Sequence, residues 1–105
     1  MIKVTILYPN TSGARFDFDY YVKTHMPMSI RLLGPRIRSV SVERGIEAAE
    51  PGARPAFVAL CHFTCDSRQS FEAAFLPQAA ALQGDMPNYT DIVPIIQFSE
   101  IMLAT

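Results

Sequence analysis

The chain reads as an α+β domain: a four-stranded antiparallel sheet with two helices, in the ferredoxin-like order β-α-β-β-α-β. Three observations predict this. Four stretches with strand composition alternate with two of helical periodicity. The two β-α-β halves match loosely, with Asp17, Pro27 and Gly34 of the first helix answered by Asp66, Pro77 and Gly84 of the second. The chain has 105 residues, half of them hydrophobic, which suits a single domain (1–105) with a real but thin core.

The first strand is Ile2 to Tyr8, rich in β-branched residues and ended by Pro9-Asn10. A loop containing Gly13 leads to Asp17, whose carboxylate suits a helix N-cap. Residues that prefer burial then recur at Phe18, Tyr21, Val22, His25, Met28, Leu32 and Leu33, which puts His25 on the buried stripe. Pro27 lacks an amide hydrogen and crowds the carbonyl four residues back, so the helix is expected to kink or break beside His25. Gly34-Pro35 is a stop signal.

Residues 37–46 alternate apolar and polar and predict a second strand. Residues 47–55, small and charged, predict a mobile hairpin connection. Residues 56–65 predict a third strand, apolar on both faces. Asp66 is the expected cap of the second helix, with Gln69 at the capping-box position. Phe71, Ala74, Phe75 and Leu82 form its stripe, and Gly84 is expected to end it. Residues 93–102 predict the last strand, again apolar on both faces.

Two helices cover one face of such a sheet. Apolar residues on the other face of the third and fourth strands would be exposed in a monomer, so we expect two sheets to close face to face as a homodimer, a dimeric α/β barrel. The net charge of −1, with acids and bases mixed, gives no reason to expect a nucleic-acid or membrane-surface partner. No apolar run is long enough to span a bilayer, and no signal-peptide pattern opens the chain. Cys61 and Cys65 would point the same way along one strand at roughly 13 Å separation, too far for a disulfide. Two free thiols predict a reducing, cytoplasmic setting.

The pattern Phe16-Asp17-x-x-Tyr20-Tyr21-x-x-Thr24-His25-x-Pro27, with Pro87-Asn88-Tyr89-Thr90-Asp91 before the last strand, resembles the EthD family, named for ethyl tert-butyl ether degradation. The resemblance extends over nearly the whole chain. It implies a dimeric α/β barrel, the fold of small cofactor-free monooxygenases, polyketide cyclases, muconolactone isomerases and haem-degrading enzymes. It also implies a part in degrading small organic compounds, often beside an oxygenase system.

His25 is the leading candidate for chemistry, because imidazole exchanges a proton near neutral pH. Aligned on the prolines, it corresponds to Phe75, so a hydrocarbon is the plain packing choice there. Its bland alternative is a core histidine bonded to a backbone carbonyl. Tyr21, four residues before His25, is the candidate orienting donor, or else a core aromatic. Tyr20, Met28, His62, Asn88 and Tyr89 are candidate ligand contacts. For Asn88 the alternative is turn chemistry, and for His62 a structural role on its strand. No metal site is expected, since only two histidines are present, and no nucleotide fingerprint occurs. No cofactor is expected, haem being the most credible exception.

Two function classes remain. One is a cofactor-free oxidoreductase or isomerase acting on a small, mostly apolar or aromatic molecule, with His25 as acid–base. The other is a non-catalytic carrier for a partner oxygenase. In either, a cleft is expected where the first helix, the first strand and the Asn88–Tyr89 loop converge.

Overall fold

A computed structural model describes residues 1–105. Its sheet is built on β1 (Ile2–Pro9), which pairs antiparallel with β3 (Phe57–Cys65) on one side and β4 (Ile95–Glu100) on the other. β2 (Ile37–Arg44) pairs antiparallel with the far edge of β3, giving the order β2-β3-β1-β4. This is the ferredoxin-like arrangement, with both helices on one face. β4 is shorter than the run 93–102 because Pro94 has no amide to donate to the ladder, which begins at Ile95 opposite Leu7. Residues 47–55 fold as a turn held by Ala48 N–H to the Ala53 carbonyl (2.9 Å) and by the Gly52 amide to Glu47 Oε2 (2.9 Å).

The first helix starts as expected: Asp17 Oδ1 accepts from the Tyr20 amide at 3.0 Å. It does not break at Pro27. It runs through α1 (Phe18–Tyr20), a π-helical turn (Tyr21–His25) and α2 (Met26–Leu33). The Met26 amide donates to the Tyr21 carbonyl five residues back, and Pro27 falls in the first turn of α2, where a missing donor costs little. The extra residue in the wide turn rotates everything after it by about 100°. The buried positions therefore become Met26, Ser29 and Leu33, whereas Met28 and Leu32 are only half-buried and Val22 is 52% exposed. Gly34, at φ 74°, ends the helix in a conformation that favours glycine.

The second helix corrects two expectations. Its cap is Ser67, whose hydroxyl accepts from the Ser70 amide at 3.0 Å; Asp66 instead pairs with the Arg38 guanidinium at 2.9 and 3.2 Å. Gln69, one residue short of the third helical position, has no capping role in that register. α3 (Arg68–Phe75) passes through a 3₁₀ turn (Leu76–Gln78) into α4 (Ala79–Asp85), so Gly84 lies inside a helix rather than ending it. The run closes one residue later, in a 3₁₀ turn over Met86–Asn88 containing Pro87.

The core lies between sheet and helices. Val4, Tyr8, Ala59, Cys61, Phe63 and Cys65 face Tyr21, Met26, Leu33, Phe71 and Leu82 across it, and both thiols are free and buried. The other sheet face is mixed rather than apolar throughout. Leu7, Leu60 and Ile95 are neighbours in register at one end. Beside them His62 is held by Thr5 Oγ1 at Nδ1 (3.1 Å) and by Glu43 Oε1 at Nε2 (3.1 Å). No helix is long and apolar enough to cross a membrane.

Candidate functional site

Four polar bonds stitch the start of the first helix to the segment before β4. The Arg15 amide donates to Asp91 Oδ1 at 2.8 Å and its guanidinium to the Pro87 carbonyl at 2.6 Å. The Asp17 amide donates to the Tyr89 carbonyl, and the Thr90 hydroxyl to the Arg15 carbonyl, both at 2.8 Å. The segment expected to converge with the first helix is thus tied to it by backbone and side chain alike.

Between them and the sheet lies a cleft of about 610 Å³, lined mostly by hydrophobic side chains. That volume takes a molecule of one to a few rings. Tyr21, His25, Met26, Phe75, Tyr89 and Ile96 are among its walls. No lysine or arginine is.

His25 is the best-defined polar group there. Its residue surface is 7% exposed, and its ring stacks on Tyr21 with centroids 5.6 Å apart at 13° and leans on Tyr89 at 4.5 Å. Nδ1 lies 2.8 Å from Asp85 Oδ2. With Nδ1–H donated to the carboxylate, Nε2 carries the lone pair. Nε2 has no protein partner, and no buried polar side-chain atom lacks one, so Nε2 is not sealed in, on a residue that lines the cleft. The bland reading of a histidine satisfied by a backbone carbonyl does not describe this ring. Its main-chain carbonyl is engaged separately, by the Ser29 hydroxyl at 2.8 Å.

Asp85 is the residue that sequence reasoning missed. It accepts from Tyr20 Oη (2.7 Å) and Asn88 Nδ2 (2.9 Å) on Oδ1 while Oδ2 holds His25. Partial burial pushes its carboxyl up, but the hydrogen bonds from Tyr20, Asn88 and His25, with the His25 charge, outweigh that and leave it below the ordinary value. The available signal was positional: Asp85 is the one acid between Glu72 and Asp91, three residues before the flagged Asn88.

The other predicted residues separate into three groups. Tyr21 and Tyr89 line the cleft, both 1% exposed. Tyr20 and Asn88 lie outside it and meet on Asp85, with Asn88 Nδ2 also 3.4 Å from Tyr20 Oη. Met28 and His62 are elsewhere. The π turn carries Met28 off the cleft and puts Met26 in its stead, and His62 is on the uncovered face of the sheet.

Tyr8 also lines the cleft and was not foreseen. Its hydroxyl meets that of Tyr89 at 2.9 Å. Burial raises the titration of Tyr8, Tyr21 and Tyr89, so all three remain neutral donors, and burial pushes the Cys61 thiol behind them up to about 12.

A family model described as the EthD domain matches residues 9–92. Among solved structures, an EthD-like protein of Ralstonia eutropha is 47% identical with a TM-score of 0.95, over 99% of this chain and 94% of that one. An ethyl tert-butyl ether degradation (EthD) family protein of Bacillus halodurans is 24% identical with a TM-score of 0.73, over 97% and 99%. HapK of Hahella chejuensis shares the fold at 17% identity and a TM-score of 0.59, over 98% and 95%. No curated protein matches the chain.

Proposed function

The chain belongs to the EthD family, and on that premise we propose that it is a cofactor-free enzyme in the breakdown of small organic compounds. In this reading His25 Nε2 takes a proton from an apolar or aromatic molecule held in the cleft. Asp85 fixes the tautomer and stabilises the imidazolium that forms. The observation that carries the reading is the His25–Asp85 pair, 2.8 Å apart, with Nε2 unpartnered at an apolar cleft. A fixed carboxylate partner converts an ordinary imidazole into an oriented base, and a general base of this kind contributes on the order of 10²–10⁴ in rate. Isomerisation and oxygenation that begin by deprotonating the substrate both need this step and no metal or flavin for it.

Tyr20 and Asn88 would act through Asp85, as positioning residues. Tyr21 and Tyr89 would touch the ligand. The apolar lining also suits a carrier that holds a metabolite for a partner oxygenase. A carrier has no use for a carboxylate-held imidazole, so the enzyme is the better reading. Two buried free thiols fit a cytoplasmic setting.

We further propose a homodimer closed through the uncovered sheet face, where Leu7, Leu60 and a half-exposed Ile95 adjoin. A total interface above ~1,200 Å² is expected. Sedimentation at micromolar concentration tests it, and a folded monomer would sink it.

The site itself is tested by following His25 ring signals by NMR while small phenols, aromatic acids and ethers are titrated. Phenols should shift the His25 signals. Binders that leave those signals unmoved would remove His25 from the site.

A further inference from the structure

Three tyrosines line a cleft in which phenylalanine would pack as well. A buried hydroxyl costs free energy unless it is bonded, so their presence asks for a use. Tyr8, Tyr21 and Tyr89 hold three O–H protons, and one short hydrogen bond, Tyr8 to Tyr89 at 2.9 Å, consumes one of them. The Tyr8–Tyr89 bond leaves the Tyr21 hydroxyl out, and the Cys61 thiol beside Tyr21 is only a weak acceptor. The rings are close to the base: Tyr89 is 4.5 Å and Tyr21 5.6 Å from the imidazole centroid, and 4.8 Å from each other. Two of the three tyrosine rings therefore lie against His25, and the protons that their hydroxyls do not spend on one another are left for a ligand.

No lysine or arginine lines the cleft. A ligand that arrives as an anion would find no cation to offset its lost hydration. Neutral donors in an apolar setting suit a ligand that arrives neutral and acquires charge on oxygen only when it loses a proton.

We propose that Tyr8, Tyr21 and Tyr89 form an oxyanion-binding site in this cleft, and that its ligand is an enolisable, ring-sized apolar ketone. The inference rests on His25 acting as the base. In the step, the C–H bond beside the carbonyl breaks and its proton goes to His25 Nε2. The electron pair forms a carbon–carbon double bond, and the carbonyl π pair moves onto oxygen, where tyrosine O–H groups donate to it. Returning the proton to the same carbon gives exchange, and to a conjugated one gives isomerisation. Nothing is oxidised and no co-reactant is consumed.

Two probes separate the donor site from the base. 2-Naphthol resembles a planar enol, and naphthalene has the same ring system without the oxygen. The native protein should bind 2-naphthol about tenfold more tightly than naphthalene, the worth of one good buried hydrogen bond. Tyr21→Phe, which keeps the ring, should cut that ratio severalfold and leave naphthalene affinity unchanged. Replacing Tyr8, Tyr21 and Tyr89 together by Phe should abolish the preference; if that variant does not fold, Tyr21→Phe alone decides. Hydrogen–deuterium exchange next to the carbonyl of 2-tetralone, followed by NMR in D₂O, reads the base. Tyr21→Phe should slow it on the order of a hundredfold. His25→Gln should abolish it while the naphthol preference persists. Equal affinity for the two naphthalenes in the native protein, or a preference that survives Tyr21→Phe, overturns the oxyanion site whatever His25 does. A tyrosine-dependent preference with no tetralone exchange overturns His25 as base, and with it the ketone as ligand.

Discussion

The two helices solve one problem in opposite ways. Each carries a proline at a matching point, Pro27 and Pro77, and each must dispose of a missing amide hydrogen. The first helix widens into a π turn over Tyr21–His25 just before its proline. The second tightens into a 3₁₀ turn over Leu76–Gln78 containing it. The wide turn brings both Tyr21 and His25, and then Met26 and Ser29, onto the cleft side. The tight turn leaves a phenylalanine, Phe75, where the first helix has its histidine. Polar chemistry has gathered at the wide turn, and the second half adds to it from the end of its helix onward, with Asp85, Asn88 and Tyr89. π turns occur disproportionately at functional sites because they re-aim side chains without ending the helix.

His25→Phe gives the first helix the second helix's residue. Tetralone exchange should fall on the order of 10³-fold. The protein should stay folded, because Asp85 keeps Tyr20 and Asn88. Loss of fold measured by circular dichroism, with no folded fraction left to assay, would make His25 structural instead.

Exchanging the prolines should divide the halves more finely. Pro27→Ala restores the missing donor and permits an ordinary α-helix, which would turn Met28 back towards the cleft. 2-Naphthol affinity should drop about tenfold, since small misplacements of binding groups are costly. Pro77→Ala should leave affinity unchanged and lower stability by about 0.5–1 kcal/mol through the unfolded chain's added freedom. Equal effects of the two on affinity would mean that Pro27 does not hold the π turn.

The caps give a smaller contrast. Ser67→Ala should cost about 1 kcal/mol by urea unfolding, as should Asp17→Ala at the other helix. Asp66→Ala should cost less than either, because its pair with Arg38 is solvent-exposed. An Asp66 effect exceeding that of Ser67 would return the capping role to Asp66.

The same contrast explains what the sequence disclosed. Element order, the four strands, the Asp17 cap and the Gly34 stop follow local rules, and periodicity carried them. Periodicity also brought Tyr21 and His25 to one side. It could not see the π turn, because one extra residue in a helical turn leaves no compositional trace, and so Met28 was placed where Met26 sits. Asp66 was expected to cap the second helix, but it pairs with Arg38, 28 residues away in the chain, and Ser67 caps instead. Asp85 and Tyr8 were illegible for a related reason. They reach the site through contacts 60 and 81 residues distant in sequence, to His25 and Tyr89, and no local pattern marks such a partner. His62 alternates correctly on its strand, opposite Cys61, and that alternation carries it to the face away from the cleft.

One carboxylate, Asp85, joins the halves. Asp85 titrates below its ordinary value because its hydrogen bonds and the nearby His25 charge outweigh the penalty of partial burial. As pH falls through the ordinary carboxylate range, the unfolded chain takes up the proton first. Asp85's contribution to stability is therefore complete above that range and is lost as pH drops through its lowered folded value. Asp66, held down by Arg38, contributes in the same direction and supplies the background. Urea unfolding of the native protein between pH 6 and pH 3 should show stability declining with acidity, and Asp85→Asn should flatten part of that decline. Asp66→Asn should flatten another part and leave tetralone exchange at pH 7 intact, whereas Asp85→Asn should slow it, because the amide can no longer stabilise the imidazolium. If Asp85→Asn flattens the acid limb but does not slow exchange, the second helix's carboxylate serves the fold alone, and the chemistry belongs to the first helix by itself.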